Sequence, residues 1–327
     1  MGIKLITAFL ISFIVTAGAG HVLIPFLRRM KAGQTIREDG PVWHKSKQGT
    51  PTMGGIMFIA GIMTACLAAG MKDLLEGVYN HILPLLPALI FAVIGFLDDY
   101  KKVTKKQNMG LSPKQKLLLQ LTTAVGFLLL LRYTGALTSN LYIPFINAII
   151  YIPAPVYYIL AAFVMVGTVN AVNITDGADG LAAGVSIPVA VCFTLIAYYG
   201  GPASAGIVAA ALSGALPAFL IYNFHPAKVI MGDTGSLFLG GLICALAFAM
   251  DMPLILIPLG IVFLIETLSD IIQVTYFKLT HGKRVFKMAP IHHHFEMCGW
   301  SEYKLFFIFS AVSTVFAVIA FFGVHSK

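Results

Sequence analysis

Apolar runs of helical length, separated by short polar segments, recur from one end of the chain to the other. They lie at roughly 3–27, 52–71, 82–97, 115–133, 153–170, 181–199, 204–222, 236–250, 253–279 and 302–323. An α-helix rises 1.5 Å per residue and needs about 20 apolar residues to cross ~30 Å of hydrocarbon. The pattern therefore predicts an all-α protein with ten transmembrane helices, not the short alternating segments of a β-barrel. The first run, behind Lys4, is too long for a usual signal-peptide core and is followed by further spans, so it reads as the first helix. The ninth would reach about 40 Å as a straight helix and must tilt, break or run beyond the bilayer.

Composition agrees with the pattern. Hydrophobic residues make up 58% of the chain and charged residues 11%, against about 25% charged in soluble domains. No segment between spans is long enough to fold alone, so residues 1–327 read as a single polytopic membrane domain. Cys66, Cys192, Cys244 and Cys298 have no paired spacing and imply neither a disulfide frame nor a zinc knuckle.

Charge adds direction. With the N-terminus outside, one set of loops carries 18 of the 22 lysines and arginines, leaving Lys4, Lys72, Arg132 and Lys327 for the other face. The positive-inside rule makes the loaded face cytoplasmic and both termini extracytoplasmic. Every polar, glycine-rich segment then falls on the cytoplasmic side. The longest outer connection, Thr134 to Ile152, is expected to lie along the interface.

Those inner segments hold the candidate chemistry. Gly49-Thr-Pro-Thr-Met-Gly-Gly55 suits a helix start, with Thr50 as N-cap and Pro51 in the first helical position. With His44, Lys45 and Lys47 just upstream, it also suits a phosphate site. Asp98-Asp99 is followed by Lys101-Lys102; the pair is either a solvated helix end or a carboxylate site for Mg²⁺ and phosphate. Ser112-Pro-Lys-Gln115 is a capping box, and its lysines could serve only anionic lipid head groups. In Asn170-Ala-Val-Asn-Ile-Thr-Asp-Gly-Ala-Asp-Gly180 the polar residues recur every three positions, drifting about 60° per step around a helix. They cannot all face one neighbour, so the stretch reads as a helix end opening into a turn. Met231-Gly-Asp-Thr-Gly-Ser236 puts Asp233 beside another helix start. Glu266, Asp270 and Gln273 share one helix face that must line the protein interior or a wet cavity. In Pro290-Ile-His-His-His-Phe-Glu296 an extended backbone would set His292 and His294 on one face and His293 on the other. That arrangement suits phosphate binding or proton transfer better than a zinc triad.

Taken together and in this order, these motifs closely resemble the phospho-N-acetylmuramoyl-pentapeptide transferases, within the polyprenyl-phosphate N-acetylhexosamine-1-phosphate transferase superfamily. The resemblance runs nearly end to end. It implies ten helices, commonly a homodimer, Mg²⁺ dependence, and an active site at the cytoplasmic face of the bacterial plasma membrane. It implies transfer of phospho-MurNAc-pentapeptide from UDP-MurNAc-pentapeptide to undecaprenyl phosphate, giving lipid I and UMP, with membrane lipid and no nucleic acid among the partners. Carried across by position, Asp98, Asp99 and Asp233 match the catalytic acids, with Asp233 the expected Mg²⁺ ligand. Lys47, Thr52, Asn170, Asn173, Asp176, Asp179, Asn223, Gln273, His292 and His293 match the nucleoside and sugar-phosphate site. Two positions depart from the family: Ile230 stands where Phe is usual, which puts the aromatic platform for uracil in question, and Ala178 replaces Leu. A sister enzyme using UDP-GlcNAc is the nearest alternative. A transporter would gather its polar residues near the midplane on broken helices and often on inverted repeats, whereas here they gather at one face and no repeat is evident.

Overall fold

The computed structural model describes residues 1–30, 33, 47–105 and 109–325. The expected contributions of His44 and Lys45 lie outside the described residues. Long helices form where the apolar runs predict them: α1 (Gly2–Arg29), α2 (Gly55–Leu75), α3 (Leu85–Lys105), α4 (Pro113–Tyr133), α5 (Ala154–Thr175), α6 (Leu181–Tyr199), α7 (Ala203–Asn223) and α8 (Gly232–Ala249). The short α9 (Leu256–Leu259), α10 (Ile261–Leu279), the short α11 (Ile291–Glu296) and α12 (Glu302–His325) follow. Among the described residues eight helices are long and apolar enough to cross a membrane, or nine if the bent α9–α10 pair is one span. α3 falls outside that set although it has 21 residues, because Asp98, Asp99, Lys101, Lys102 and Lys105 occupy its last two turns.

The predicted ninth run does break. The segment before Gly260 and α10 are bent by 79°. The connection from Thr134 to Ile152 folds into an antiparallel hairpin of β1 (Asn140–Ile143) and β2 (Ala148–Tyr151). Phe145 at its tip donates its backbone N–H to the Gly323 carbonyl at 2.6 Å, tying the hairpin to the end of α12.

α8 is apolar on every side and becomes the centre of the bundle, buried from Thr234 through Phe248. A helix without a polar face has no surface to offer water. It packs against α3, α5 and α2, while α7 packs against α1, α2 and α6. Small residues let the backbones approach where lipid offers no hydrophobic drive between helices: α7 buries Gly206, Ala209, Ala210, Ala211, Gly214 and Ala215. Ser186 and Ser213 turn back on their own helices, Ser186 to the Ala182 carbonyl at 2.7 Å and Ser213 to Ala209 at 2.9 Å. Large apolar side chains such as Ile14, Val22, Phe163 and Phe322 point outward.

Successive helices run up and down, so the end of α3, the start of α4, the end of α5 and the starts of α8 and α12 meet at one end of the bundle. The capping box at α4 forms as expected, with Ser112 Oγ accepting from the Gln115 N–H and Gln115 returning a carbonyl to the Ser112 N–H. The expected cap at Thr50 does not form. α2 starts at Gly55, and the preceding loop instead pairs with the segment before α8: Ile230 N–H donates to the Pro51 carbonyl at 2.8 Å, Gly54 N–H to Ile230 at 2.9 Å and Gly55 N–H to Met231 at 3.0 Å. Backbone donors there find a partner strand segment before they find a helix.

Candidate active site

The three acids the sequence set apart do converge. Asp98, Asp99 and Asp233 each place a carboxylate oxygen within 4.8 Å of the others. Asp99 is held by the start of α8: it accepts from the Thr234 hydroxyl at 2.7 Å, the Thr234 N–H at 2.9 Å and the Asp233 N–H at 3.2 Å. An acidic side chain at free helix N–H groups is well placed. Asp98 accepts from the Leu111 N–H at 2.8 Å and pairs with Lys102 at 2.6 Å. Asp233 meets Lys102 and Lys116, each at 3.0 Å, and accepts from the Asn173 amide at 2.8 Å.

A backbone detail makes this possible. Gly232 has φ +72, and a β-carbon on it would lie 2.6 Å from the Thr52 hydroxyl and 2.7 Å from an Asp99 oxygen. The left-handed backbone and the close approach both require glycine, and α8 consequently begins a turn earlier than the apolar pattern predicts.

The stretch from Asn170 to Gly180 behaves as its spacing implies, each polar residue meeting a different neighbour. Asn170 exchanges amide hydrogen bonds with Gln120 of α4, at 2.8 and 3.3 Å. Asn173 bonds Asp233 and, at 2.7 Å, Ser236. Asp176, just past the end of α5, is half-buried, and its carboxylate has no hydrogen-bond partner among the described residues. Burial, reinforced by the negative charges of Asp233, Asp99 and Asp179, raises its pKa well above the usual carboxylate range.

Asp179 belongs to a second cluster. It accepts the ammonium of Lys47 at 2.8 Å, the His225 ring at 2.9 Å and the Ala227 N–H at 3.0 Å; Lys47 also pairs with Glu302 at 2.7 Å. Burial pushes the Asp179 carboxyl up, but Lys47, the Ala227 N–H and His225 outweigh it and leave the pKa below normal. Burial likewise works against the charge on Lys47, and the two carboxylates overcome it, raising its pKa. Asp179, His225 and Glu302 could form a metal triad by distance, but the cation seated among them is Lys47. Asn223 braces this corner, accepting from the Gly180 N–H at 3.1 Å and donating to the Val229 carbonyl at 2.9 Å.

The histidine run forms the short helix α11 and is not extended, so the expected sharing of a face by His292 and His294 is overturned: consecutive helical residues diverge by about 100°. His292 turns inward to Glu266 of α10 at 2.9 Å, His293 pairs with Glu296 at 2.6 Å, and His294 accepts from the Lys287 N–H at 3.1 Å. Gln273 accepts from the Val285 and Phe286 N–H groups, each at 3.0 Å, so it anchors the segment leading to α11.

Lys102, Lys116, Thr234, His225 and Glu302 belong to these clusters without having been singled out from sequence. Lys102 carried a usable signal, since i and i+4 residues share a helix face. Lys116 is half-buried on Asp233 rather than free for lipid head groups. Glu302 gave no local sign, because its partners Lys47, Asp179 and His225 lie more than 70 residues away.

From the hairpin end of the bundle, at Leu141, Tyr157 and Phe248, an apolar groove of ≈ 480 Å³ runs between α5 and the bent α9–α10 pair toward Ala171 and Ile271. The bend at Gly260 opens it.

The chain is similar to known proteins along its whole length. Residues 81–251 match the family described as glycosyl transferase family 4, and residues 47–59 match phospho-N-acetylmuramoyl-pentapeptide-transferase signature 1. A relative from Clostridium perfringens strain SM101, named phospho-N-acetylmuramoyl-pentapeptide-transferase, is 47% identical over 97% of this chain and 96% of its own. Relatives of the same name from Halalkalibacterium halodurans and Oceanobacillus iheyensis are 45% and 44% identical, each covering at least 96% of both chains.

Proposed function

The chain belongs to the phospho-N-acetylmuramoyl-pentapeptide transferases, and from that premise we propose that it transfers phospho-MurNAc-pentapeptide from UDP-MurNAc-pentapeptide to undecaprenyl phosphate, forming lipid I and UMP in peptidoglycan synthesis. The observation that carries the reading is the convergence of Asp98, Asp99 and Asp233 with Lys102 and Lys116 at the end of the bundle where the signature loop and the α5–α6 turn also meet. The same reading puts that end on the cytoplasmic side of the bacterial plasma membrane, where the nucleotide substrate is available.

In the transfer, an oxygen of the lipid phosphate attacks the sugar-side phosphorus of the donor. A new P–O bond forms, the bond to the uridine-side phosphate oxygen breaks, and UMP leaves with the bonding electrons. Positioning and charge stabilisation carry most of such a reaction. Lys102 and Lys116 are the cations already directed at the site and would pass to the phosphates as these displace them from Asp233. Lys47, Asp179 and Asn223 build the polar corner assigned to the nucleoside. In that corner Ile230 presents no aromatic ring of its own. The apolar groove along α5 and α10 suits one part of the polyprenyl chain.

Mg²⁺ fits this donor set. Hard divalent cations take carboxylate oxygens together with substrate phosphates. Asp99 is already tied to the start of α8 by three donors, whereas Asp98 and Asp233 have lysine partners that a cation could replace, so these two would hold it. When bound it would neutralise charge on the pyrophosphate. A homodimer is part of the same proposal.

The test is UMP release by the purified protein with UDP-MurNAc-pentapeptide, undecaprenyl phosphate and Mg²⁺, beside Asp233→Ala. Release that requires all three components and is lost in the variant supports the reading. Folded protein that releases UMP only from UDP-GlcNAc moves the assignment to the sister enzymes.

A further inference from the structure

Glu266 lies in α10 with no exposed surface. An ionised carboxylate buried in a membrane bundle is costly unless it is paired. Among the described residues its one side-chain partner is His292: Glu266 Oε2 is 2.9 Å from Nδ1, and the two side chains are 0% and 1% exposed. The segment that returns α11 to this helix is fixed again two turns on, where Gln273 bonds the backbone of Val285 and Phe286.

The other ring nitrogen is the informative one. His292 Nε2 is buried and has no hydrogen-bond partner among the described residues. It lies against Gly177, where a β-carbon would fall only 2.3 Å from it. Gly177 directly follows Asp176 in the turn that carries the site. The Glu266 oxygen beside Nδ1 makes Nδ1 the donor, and a proton on Nε2 would be a buried N–H with no acceptor in reach among the described residues, so Nε2 turns its lone pair toward the turn.

We propose that Glu266 is a positioning residue that fixes the tautomer and orientation of His292, so that Nε2 presents an acceptor at the Asp176–Gly177 turn; the inference rests on the transferase reading above. Glu266 itself touches no substrate. Its effect runs through the imidazole, as carboxylate partners of functional histidines do at metal centres.

The experiment is a double-mutant cycle on the full chain in detergent. Glu266→Ala and the near-isosteric Glu266→Gln are each made alone and with His292→Ala, with UMP-release kinetics and thermal unfolding measured for all. Glu266→Ala is expected to lower kcat by about 10- to 100-fold, the scale on which such partners act, and to add less than about threefold once His292 is gone. Additive losses would overturn the proposal. If the alanine variant fails to show a thermal transition, the glutamine variant supplies the cycle. Nitrogen-15 spectra of histidine-labelled wild-type protein provide a readout independent of activity. The signal missing from His292→Ala is expected to show a protonated Nδ1 and a bare Nε2, and the opposite tautomer overturns the proposal. Wild-type protein that releases no UMP would sink the transferase reading, while the spectra would still decide the tautomer.

Discussion

Asp98 and Asp99 are neighbours in sequence but are held by different things. Asp99 takes two backbone N–H groups and a hydroxyl from the start of α8, which makes it the pin joining α3 to α8. Asp98 faces Lys102 and the Leu111 N–H, and either a base or a positioning role fits that geometry. Chemistry favours positioning. A phosphate monoester has its second pKa near 6, so the lipid phosphate is already mostly dianionic at neutral pH and needs no base. Asp98→Asn is therefore expected to lower kcat by roughly 100-fold or more, the scale of losing a preorganised group, and by the same factor at pH 7 and pH 9. A defect that disappeared at the higher pH would show that deprotonation had been lost. A phosphosugar trapped on the protein from labelled donor without lipid would establish the covalent route instead.

The Asp179–Lys47 pair gives a second prediction at this scale. Asp179 has its pKa depressed in the fold, so its contribution is present above the unfolded value of about 3.9 and is lost as pH falls through the folded one. Lys47 has its pKa raised, so its contribution is present below about 10.4 and is lost as pH rises through the folded one. Wild-type thermal stability should owe nothing to this pair's titration between about pH 5 and pH 9. Lys47→Met should lower stability throughout that window and reduce donor affinity; equal unfolding temperatures for the two proteins at neutral pH would contradict the pairing.

At the scale of elements, the decisive one is the start of α8. Its first turn supplies Asp233 and Thr234 and receives Asp99, and it can do so because Gly232 takes φ +72 against Thr52. Gly232→Ala meets both a left-handed backbone, costing about 1–2 kcal/mol, and a collision with Thr52 and Asp99. The expected outcome is at least a tenfold drop in kcat with a modest fall in unfolding temperature, measured side by side. An unchanged kcat would show that this turn does not set the geometry of the acids.

Elements were legible to different degrees. The long apolar runs predicted where helices lie, since a chain in lipid must satisfy its backbone internally. Their polar ends were harder to read: α2 begins at Gly55 and α8 at Gly232, because the loop around Pro51 pairs with Ile230 instead of capping a helix. The histidine run became a helix because α10 offers it Glu266 and Gln273, which no local pattern in 290–296 announces.

At the scale of the whole molecule, the up-and-down order of the helices gathers segments from 47 to 302 at one end. That is the arrangement of an enzyme acting at a membrane surface rather than of a carrier with its polar residues at midplane. The sequence by itself determined the membrane class and the helical architecture, because both are written in composition and period along the chain, and its resemblance to the family singled out the three acids. Only the tertiary structure decided which cations face those acids, that Asp179 closes on Lys47 and Glu302, and that Glu266 stands behind His292. Those pairings join residues up to 255 positions apart. Helix packing brings such residues within hydrogen-bond reach, and no local rule can state which of many lysines or glutamates will arrive.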